Sequence, residues 1–256
     1  MIAPPAYLTP AVGEKAAGTV HSVFDHAANI TLSTVSGPRL ITLIGRRYPR
    51  VPDSIVMPEA VFHTFDVGDR SALDRDTILI GRRHLTVARA DDLSRFRIAK
   101  GFSRDGIDAL LEFTSVGSTG LDGLPTERRE MAVSALGTKN GAAFIGLGPG
   151  LTPSYDDACV GVMAVFMAAD RDLPFMITDD DLAVTTSVSA RYLRLAREGY
   201  FGEAIVRVLE AVRTGRDVRQ SALRLEWIGA TSGRDILFGM RQAFLALERM
   251  GVLPER

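Results

Sequence analysis

A glycine-rich stretch near the middle of the chain limits what the residues around it can form. Its glycines alternate with single residues, at Gly146, Gly148 and Gly150. This spacing rules out a continuous strand or helix, because glycine readily adopts positive φ and leaves no side chain over the backbone. The residues after it predict a helix from 154 to about 169 that is apolar on every side and therefore buried. The glycine loop, as we call residues 146–151, accordingly connects a short strand-like run at 142–145 to a central helix.

The start of this helix has the features of an anion-binding site. Thr152 or Ser154 is expected to cap it, and the free N–H groups and partial positive charge of a helix N-terminus attract anions. Asp156 and Asp157 add two carboxylates in the same first turn. A second interpretation needs no ligand, since Asp is common in first turns and Ser154 with Asp157 forms a capping-box pattern. The glycines favour a site, although the stretch is neither a P-loop nor a Rossmann fingerprint.

A similar stretch at residues 229–235 opens the last predicted helix. Both stretches contain a glycine, a threonine, a serine and an aspartate. In both, a further glycine follows the aspartate by four residues, Gly161 after Asp157 and Gly239 after Asp235. A glycine inside a helix costs about 1 kcal/mol relative to alanine, so it usually marks a close approach of two backbones. We therefore expect the two helices to cross near these glycines and to bring both helix starts to one pocket.

Such a pocket would combine hydrogen-bond donors with acceptors. Its N–H groups and hydroxyls suit a carboxylate or phosphate, whereas the carboxylates of Asp156, Asp157 and Asp235 suit N–H groups. Because three carboxylates repel a bare dianion, a ligand with an anionic end and an amide or ureido end satisfies both sets. Thr186 and Ser189 in a later helix either line this pocket or bond to their own helix's carbonyls. The predicted ligand-binding residues are Gly148, Gly150, Leu151, Thr152, Ser154, Thr186, Ser189, Thr231, Ser232, Gly233 and Asp235.

The composition argues against several classes of function. A net charge of −1 and the lack of a long basic run give no reason to expect a nucleic-acid partner. The single cysteine, Cys159, excludes an intrachain disulfide, and the four histidines form no metal-ligand motif, so we expect neither a metal nor a cofactor. The longest apolar run, residues 158–169, is too short to cross a bilayer, and no signal-peptide pattern is present. We expect no membrane partner and a cytoplasmic location.

The pattern along the chain predicts an α+β fold, with an N-terminal antiparallel β-rich half and a mainly helical C-terminal half. The first half, residues 1–100, is expected to form a small barrel or sandwich-like sheet with strands at 20–24, 29–35, 40–44, 55–57, 77–80 and 85–87. The second half, residues 101–256, is expected to form helices at 103–113, 126–136, 154–169, 179–198, 201–212, 218–227 and 232–250. Residues 115–123 are interpreted as a flexible connection in preference to a second backbone-lined loop.

Three strings carry a resemblance to a known family: GLGPGLTPSYDD at 146–157, TTSVSA at 185–190 and IGATSGRD at 228–235. In order and spacing they resemble the AllH-type family, named for a subunit of oxamate carbamoyltransferase, and the early run at 20–24 also resembles that family's opening. The resemblance implies carbamoyl transfer among oxalurate, phosphate, oxamate and carbamoyl phosphate. It also implies partner subunits. The chain departs from the family at Tyr155, where a glycine is usual, and a phenol there is expected to narrow the pocket or stack on a substrate.

Within this interpretation the loop amides stabilise a developing oxyanion, and Asp156 and Asp157 are the predicted catalytic residues. Either one orients the carbamoyl nitrogen or takes a proton. Two alternatives stay open. The chain is a non-catalytic partner that binds a small anion or docks another subunit, or the glycines serve only to let two helices pack tightly.

Overall fold

The structure is a computed structural model that describes residues 3–13, 15–35, 37–90 and 92–255. It divides into two compact units, residues 1–96 and residues 97–256. Each unit has a hydrophobic core of its own. The fold is α+β as predicted, with a sheet in the first unit and helices in the second.

The first unit contains a nine-stranded, mainly antiparallel sheet with strand order β8-β7-β6-β2-β3-β4-β5-β1-β9. The two strands at the ends of this order, β8 and β9, are separated in the chain by Val87 alone, so the sheet nearly closes into a barrel. Its strands are β1 Pro5–Tyr7, β2 Lys15–Val23, β3 Ala27–Thr34, β4 Gly37–Gly45, β5 Ser54–Met57, β6 Arg70–Asp74, β7 Thr77–Ile80, β8 Arg83–Thr86 and β9 Ala88–Arg89.

Alternation of side chains places one face of each strand in the core. In β3, Ala28, Ile30 and Leu32 are fully buried, as period-two spacing requires. The six predicted strands are present, whereas β1, β6 and β9 were not predicted. The predicted antiparallel character of this half is confirmed, although β4 pairs with β5, and β1 with β9, in parallel.

The second unit is formed by eight α-helices among its described residues. They are α1 Arg104–Phe113, α2 Thr126–Ala135, α3 Ser154–Ala168, α4 Asp179–Ala183, α5 Ser187–Arg197, α6 Glu203–Thr214, α7 Val218–Glu226 and α8 Ser232–Arg249. Every residue of α3 except Met167 is buried, which confirms the prediction of a central helix that is apolar on all sides.

The predicted crossing of the two glycine-bearing helices is confirmed. A Cβ added at Gly161 in α3 would lie 2.1 Å from the carbonyl oxygen of Ile236, and one added at Gly239 in α8 would lie 1.9 Å from that of Ala158. Only glycine allows such close approach of the two backbones. The crossing fixes how the first turns of α3 and α8 lie beside each other.

Two local predictions were wrong. The predicted strand-like run at 142–145 lies in a 3-10 helix, Gly141–Phe144, and the predicted helix at 179–198 is two helices, α4 and α5. The break occurs where Thr186 takes the N-cap position of α5 and its hydroxyl accepts a hydrogen bond from Ser189 N–H. Thr and Ser favour such caps, because their hydroxyls satisfy free N–H groups at a helix start.

Candidate functional site

The glycine loop needs the backbone freedom that its sequence indicates. Gly146, Gly148 and Gly150 have φ of 86°, 119° and 93°, all in the region that favours glycine. A Cβ at Gly146 would lie 2.9 Å from Val184 O, and one at Gly148 would lie 2.7 Å from Ser154 N. The loop therefore folds back closely over the start of α3 and against the connection between α4 and α5.

The first turn of α3 is closed by this backbone and has no side-chain cap. Pro153 occupies the N-cap position, and Tyr155 N–H donates to Leu147 O in the glycine loop at 3.0 Å. The prediction that Thr152 or Ser154 caps the helix was therefore wrong. Proline provides no capping oxygen, so a carbonyl of the loop takes the place of a side chain.

Free donors lie on the loop itself. Within the described residues, the N–H groups of Gly148, Gly150, Leu151 and Thr152 donate to no protein acceptor. Gly150 and Leu151 are exposed, and Gly148 and Thr152 are half-buried. A run of unpaired N–H groups in a glycine-rich turn can bind an anion. Four unpaired N–H groups thus lie in the glycine loop and at Thr152, just before the start of α3.

Asp156 is buried beneath the loop and is fully hydrogen-bonded. Its Oδ1 accepts from Gly146 N–H at 2.7 Å, and its Oδ2 accepts from the hydroxyls of Thr185 and Ser189, each at 2.5 Å. Burial raises the pKa of Asp156, while these hydrogen bonds act in the opposite direction. The carboxylate joins the glycine loop, α3 and the start of α5.

Asp157 has a different environment. It is 5% exposed, and its Oδ2 is buried without a hydrogen-bond partner among the described residues. Thr152 Oγ1 lies 2.8 Å from Ser232 Oγ. Burial raises the pKa of Asp157 well above its usual range, and the charges of Asp235 and Asp156 raise it further, while the Ser232 and Thr152 hydroxyls act to lower it.

The third buried acid, Asp235, belongs to the first turn of α8. Its Oδ1 accepts from Gly120 N–H at 2.8 Å, and its pKa is raised by burial. The hydroxyls of Thr231 and Ser154 lie near enough to lower that pKa. Within the described chain, however, neither Ser154 Oγ nor Asp235 Oδ2 makes a hydrogen bond. Buried polar atoms without partners are rare, and this site has three of them with Asp157 Oδ2.

The structure thus brings the starts of α3 and α8 together, as predicted, and the remaining predicted site residues support them. Thr186 donates to Leu151 O and so holds the loop against α5. Gly233 has a packing role, because a Cβ there would lie 1.8 Å from Leu225 O at the end of α7. Tyr155 is fully buried and its hydroxyl donates to Gly141 O at 2.9 Å. Of the two expectations for Tyr155, stacking on a substrate does not fit this burial, and narrowing of the pocket stays a prediction.

Three residues of the site were not among those predicted. Gly120 provides the N–H to Asp235, and a Cβ there would lie 1.9 Å from Ser154 Oγ. The interpretation of residues 115–123 as a simple connection missed this contact, and the glycine itself was the only local signal. Thr185 and Gly146 both lie in the strings singled out by sequence, but nothing in their spacing identifies Asp156 as their shared acceptor.

Among the described residues, no group of three or more His, Cys, Asp or Glu side chains is arranged to hold a metal ion. None of the described helices is long and apolar enough to cross a membrane.

Comparison with known families gives two matches. The sequence model of the oxamate carbamoyltransferase subunit AllH matches residues 144–244, and that of the AllH family N-terminal domain matches residues 6–92. The chain belongs to the AllH family. The first match contains the glycine loop, the buried acids and the start of α8, and the second lies within the first unit. No solved structure matches the chain.

Proposed function

We propose that this AllH-family chain is the subunit of a carbamoyltransferase that binds a small amide or ureido acid, of the oxamate or oxalurate type, together with phosphate. One observation carries the proposal. Unpaired N–H groups of the glycine loop directly precede Thr152, whose hydroxyl oxygen lies 2.8 Å from that of Ser232, and the buried acid Asp157 lies in the first turn of α3 that follows. Donors for an anion and a group that exchanges protons thus occur at one place.

The chemistry of carbamoyl transfer fits these groups. The carboxylate of the acid, or the phosphate, accepts hydrogen bonds from the loop N–H groups. When a phosphate oxygen attacks the carbamoyl carbon, negative charge develops on the carbamoyl oxygen, and fixed N–H donors stabilise it. A buried acid whose pKa is raised holds its proton to higher pH than an ordinary aspartate does, and a general acid needs such a proton.

The structure suggests a division of roles between the two predicted catalytic residues. Asp156 has every oxygen occupied by donors from the loop and from α5, so we assign it a positioning role. Asp157 is almost completely buried, and its Oδ2 has no hydrogen-bond partner among the described residues. We assign the proton-exchanging role to Asp157.

A thermal-shift panel tests the proposal. The full chain is heated with phosphate, carbamoyl phosphate, oxamate and oxalurate, and the same panel is applied to Asp157→Asn and to Ser134→Ala, a surface hydroxyl variant on α2. Ligand at 100 times its dissociation constant stabilises by about 2.7 kcal/mol, which is readily measured. We expect a shift with at least one ligand in the parent and in Ser134→Ala, and a reduced shift in Asp157→Asn. Equal shifts in all three proteins would place the ligand elsewhere.

The second candidate function is a non-catalytic subunit that binds a small anion or docks a partner. The family description as a subunit favours it, because the active centre of a multi-subunit enzyme can lie on another chain. A transfer assay on the assembled enzyme separates the two. If Asp157→Asn leaves the transfer rate unchanged while the complex still forms, the non-catalytic function is correct.

A further inference from the structure

A cleft that is open to solvent lies between α2 and α8 in the helical unit. Its volume is about 460 Å³, within the roughly 300–1,000 Å³ that is typical of small-molecule sites. The turn after α2 meets α8 at small residues, because a Cβ added at Gly137 would lie 3.3 Å from that of Ala246. Longer side chains of both helices line the cleft around this contact. No described residue of the candidate site is among them.

Two guanidinium groups line the cleft and provide hydrogen-bond donors. Arg249 lies in the last turn of α8, and within the described chain its side chain forms no ion pair or hydrogen bond. Arg129 in α2 donates from Nη1 to Asp122 Oδ1 at 3.1 Å, and its guanidinium has further N–H donors for a ligand. Gln242 precedes Arg249 by about two helical turns, so both side chains project from the same face of α8.

One carboxylate lines the same cleft. Glu130 in α2 makes no ion pair or hydrogen bond through its side chain among the described residues. An ionised carboxylate only accepts hydrogen bonds, whereas a guanidinium only donates them. The Ser134 and Thr138 hydroxyls also line the cleft, but each donates to a backbone carbonyl three residues earlier in the chain, so neither offers a donor. The charged groups of the cleft therefore suit two acidic groups and one amino group.

We propose that this cleft binds a small acidic amino acid, a molecule with two carboxylates and one ammonium group. One carboxylate accepts from Arg249 and from the amide of Gln242, the other accepts from Arg129, and the ammonium group donates to Glu130. Guanidinium groups suit carboxylates because two parallel N–H donors match two oxygens. The inference does not depend on the proposed function, since none of these four residues belongs to the candidate site.

The groups that line the cleft predict a preference among three molecules of similar size. L-glutamate has both carboxylates and the ammonium group, glutarate lacks the ammonium group, and L-glutamine has an amide in place of one carboxylate. Isothermal titration calorimetry on the full chain measures the three affinities. We expect L-glutamate to bind, and the other two to bind about tenfold more weakly, because each lacks one charge-assisted hydrogen bond. Binding of none of the three, or equal binding of all three, would overturn the inference.

Variants locate the binding. We expect Arg249→Gln to weaken L-glutamate binding about tenfold, and Glu130→Gln to remove the preference for L-glutamate over glutarate, because the acceptor for the ammonium group loses its charge. Arg224→Gln, on the exposed face of α7, is the matched control and keeps the affinity of the parent. Melting temperatures without ligand check that the variants fold.

The same titration on Asp157→Asn separates the cleft from the glycine loop. We expect this variant to bind L-glutamate as the parent does. If Asp157→Asn loses L-glutamate binding while Arg249→Gln keeps it, the ligand lies at the glycine loop and the inference about the cleft is wrong. Parent-like affinities and preferences in both Arg249→Gln and Glu130→Gln would also refute it.

Discussion

Asp156 and Asp157 are adjacent in the sequence but have opposite surroundings in the fold. Successive residues on a helix point about 100° apart, so one carboxylate turns toward the glycine loop and α5 while the other turns toward α8. Asp156 is saturated by the Gly146 N–H and the Thr185 and Ser189 hydroxyls. Asp157 keeps an unpartnered oxygen within the described residues. A pair of acids that the sequence presents as equivalent therefore has two different environments.

The first prediction concerns Asp156. Asp156→Ala leaves three donors without an acceptor, and unsatisfied buried groups cost about 1–3 kcal/mol each. Because water can reach part of the loop, we expect a loss of roughly 2–4 kcal/mol in the free energy of unfolding. Chemical denaturation measures it, with Asp180→Ala on the exposed start of α4 as the control. A loss below that of the control would show that Asp156 does not hold the loop.

The second prediction concerns Asp157 and pH. Because its pKa is raised in the folded state, the folded protein keeps this proton to higher pH than the unfolded chain does. The associated stability is fully present below the unfolded value, near pH 4, and is lost as pH rises through the folded pKa, at up to about 1.4 kcal/mol per pH unit. Asn resembles the neutral acid and does not ionise. We therefore expect Asp157→Asn to equal the parent near pH 4 and to be the more stable protein at pH 7.

Unfolding curves at several pH values between 4 and 8 measure this difference. Asp156 and Asp235 also have raised pKa values, so part of the slope remains in Asp157→Asn. The exposed Asp180→Asn controls for the loss of one surface charge. A lower stability of Asp157→Asn at pH 7 would mean that the carboxylate is ionised and favourably bonded in the folded state.

At the scale of elements, the crossing of α3 and α8 determines the site. The third prediction is that Gly239→Ala, whose Cβ would lie 1.9 Å from Ala158 O, forces the helices apart. We expect a loss of roughly 1–3 kcal/mol in the free energy of unfolding, as in overpacked cores. Gly123→Ala is the matched control, since no described atom lies within 4 Å of its added Cβ. Equal melting temperatures for the two variants would contradict the close approach.

The sequence predicts this crossing because its signals are local and repeated. A glycine one turn after each aspartate, in both helices, indicates where backbones meet before any contact is known. Local signals also predict the strands β2–β5 and the helices α1, α3 and α8. In such periodic runs, burial of one face or of all faces determines which secondary structure forms.

Other elements depend on contacts between distant residues, and the sequence does not show them. The break between α4 and α5 places Thr186 as a cap, although the local pattern continues as a helix. Gly120 joins the site through Asp235, 115 residues away. Pro153 at the N-cap of α3 offers no capping oxygen, and Leu147 O accepts the hydrogen bond from Tyr155 N–H in the first turn instead. Short-range preferences give way to tertiary hydrogen bonds at these positions.

At the scale of the whole molecule, the chain separates into a sheet unit and a helical unit, divided between Phe96 and Arg97. The residues of the candidate site all lie in the helical unit. The core of that unit is centred on α3 and includes side chains from α1, α5, α6, α7 and α8, while the sheet unit has its own cluster. Two separate cores suggest two units that each bury enough apolar surface to fold, because a domain of 100–160 residues usually does so.

The fourth prediction follows from this division. We expect residues 97–256, produced alone, to fold with a cooperative melting transition and to show the same ligand-induced thermal shift as the full chain. The reason is that every hydrogen bond given above for the Asp156 and Asp235 carboxylates is made within this unit, and the residues that shift the pKa of Asp157 also belong to it. Circular dichroism and the thermal-shift panel measure the two properties, with Asp157→Asn in the same fragment as the control. A fragment that folds but no longer binds would show that the first unit contributes to the ligand site. A fragment that does not fold would show that the helical core needs the sheet unit.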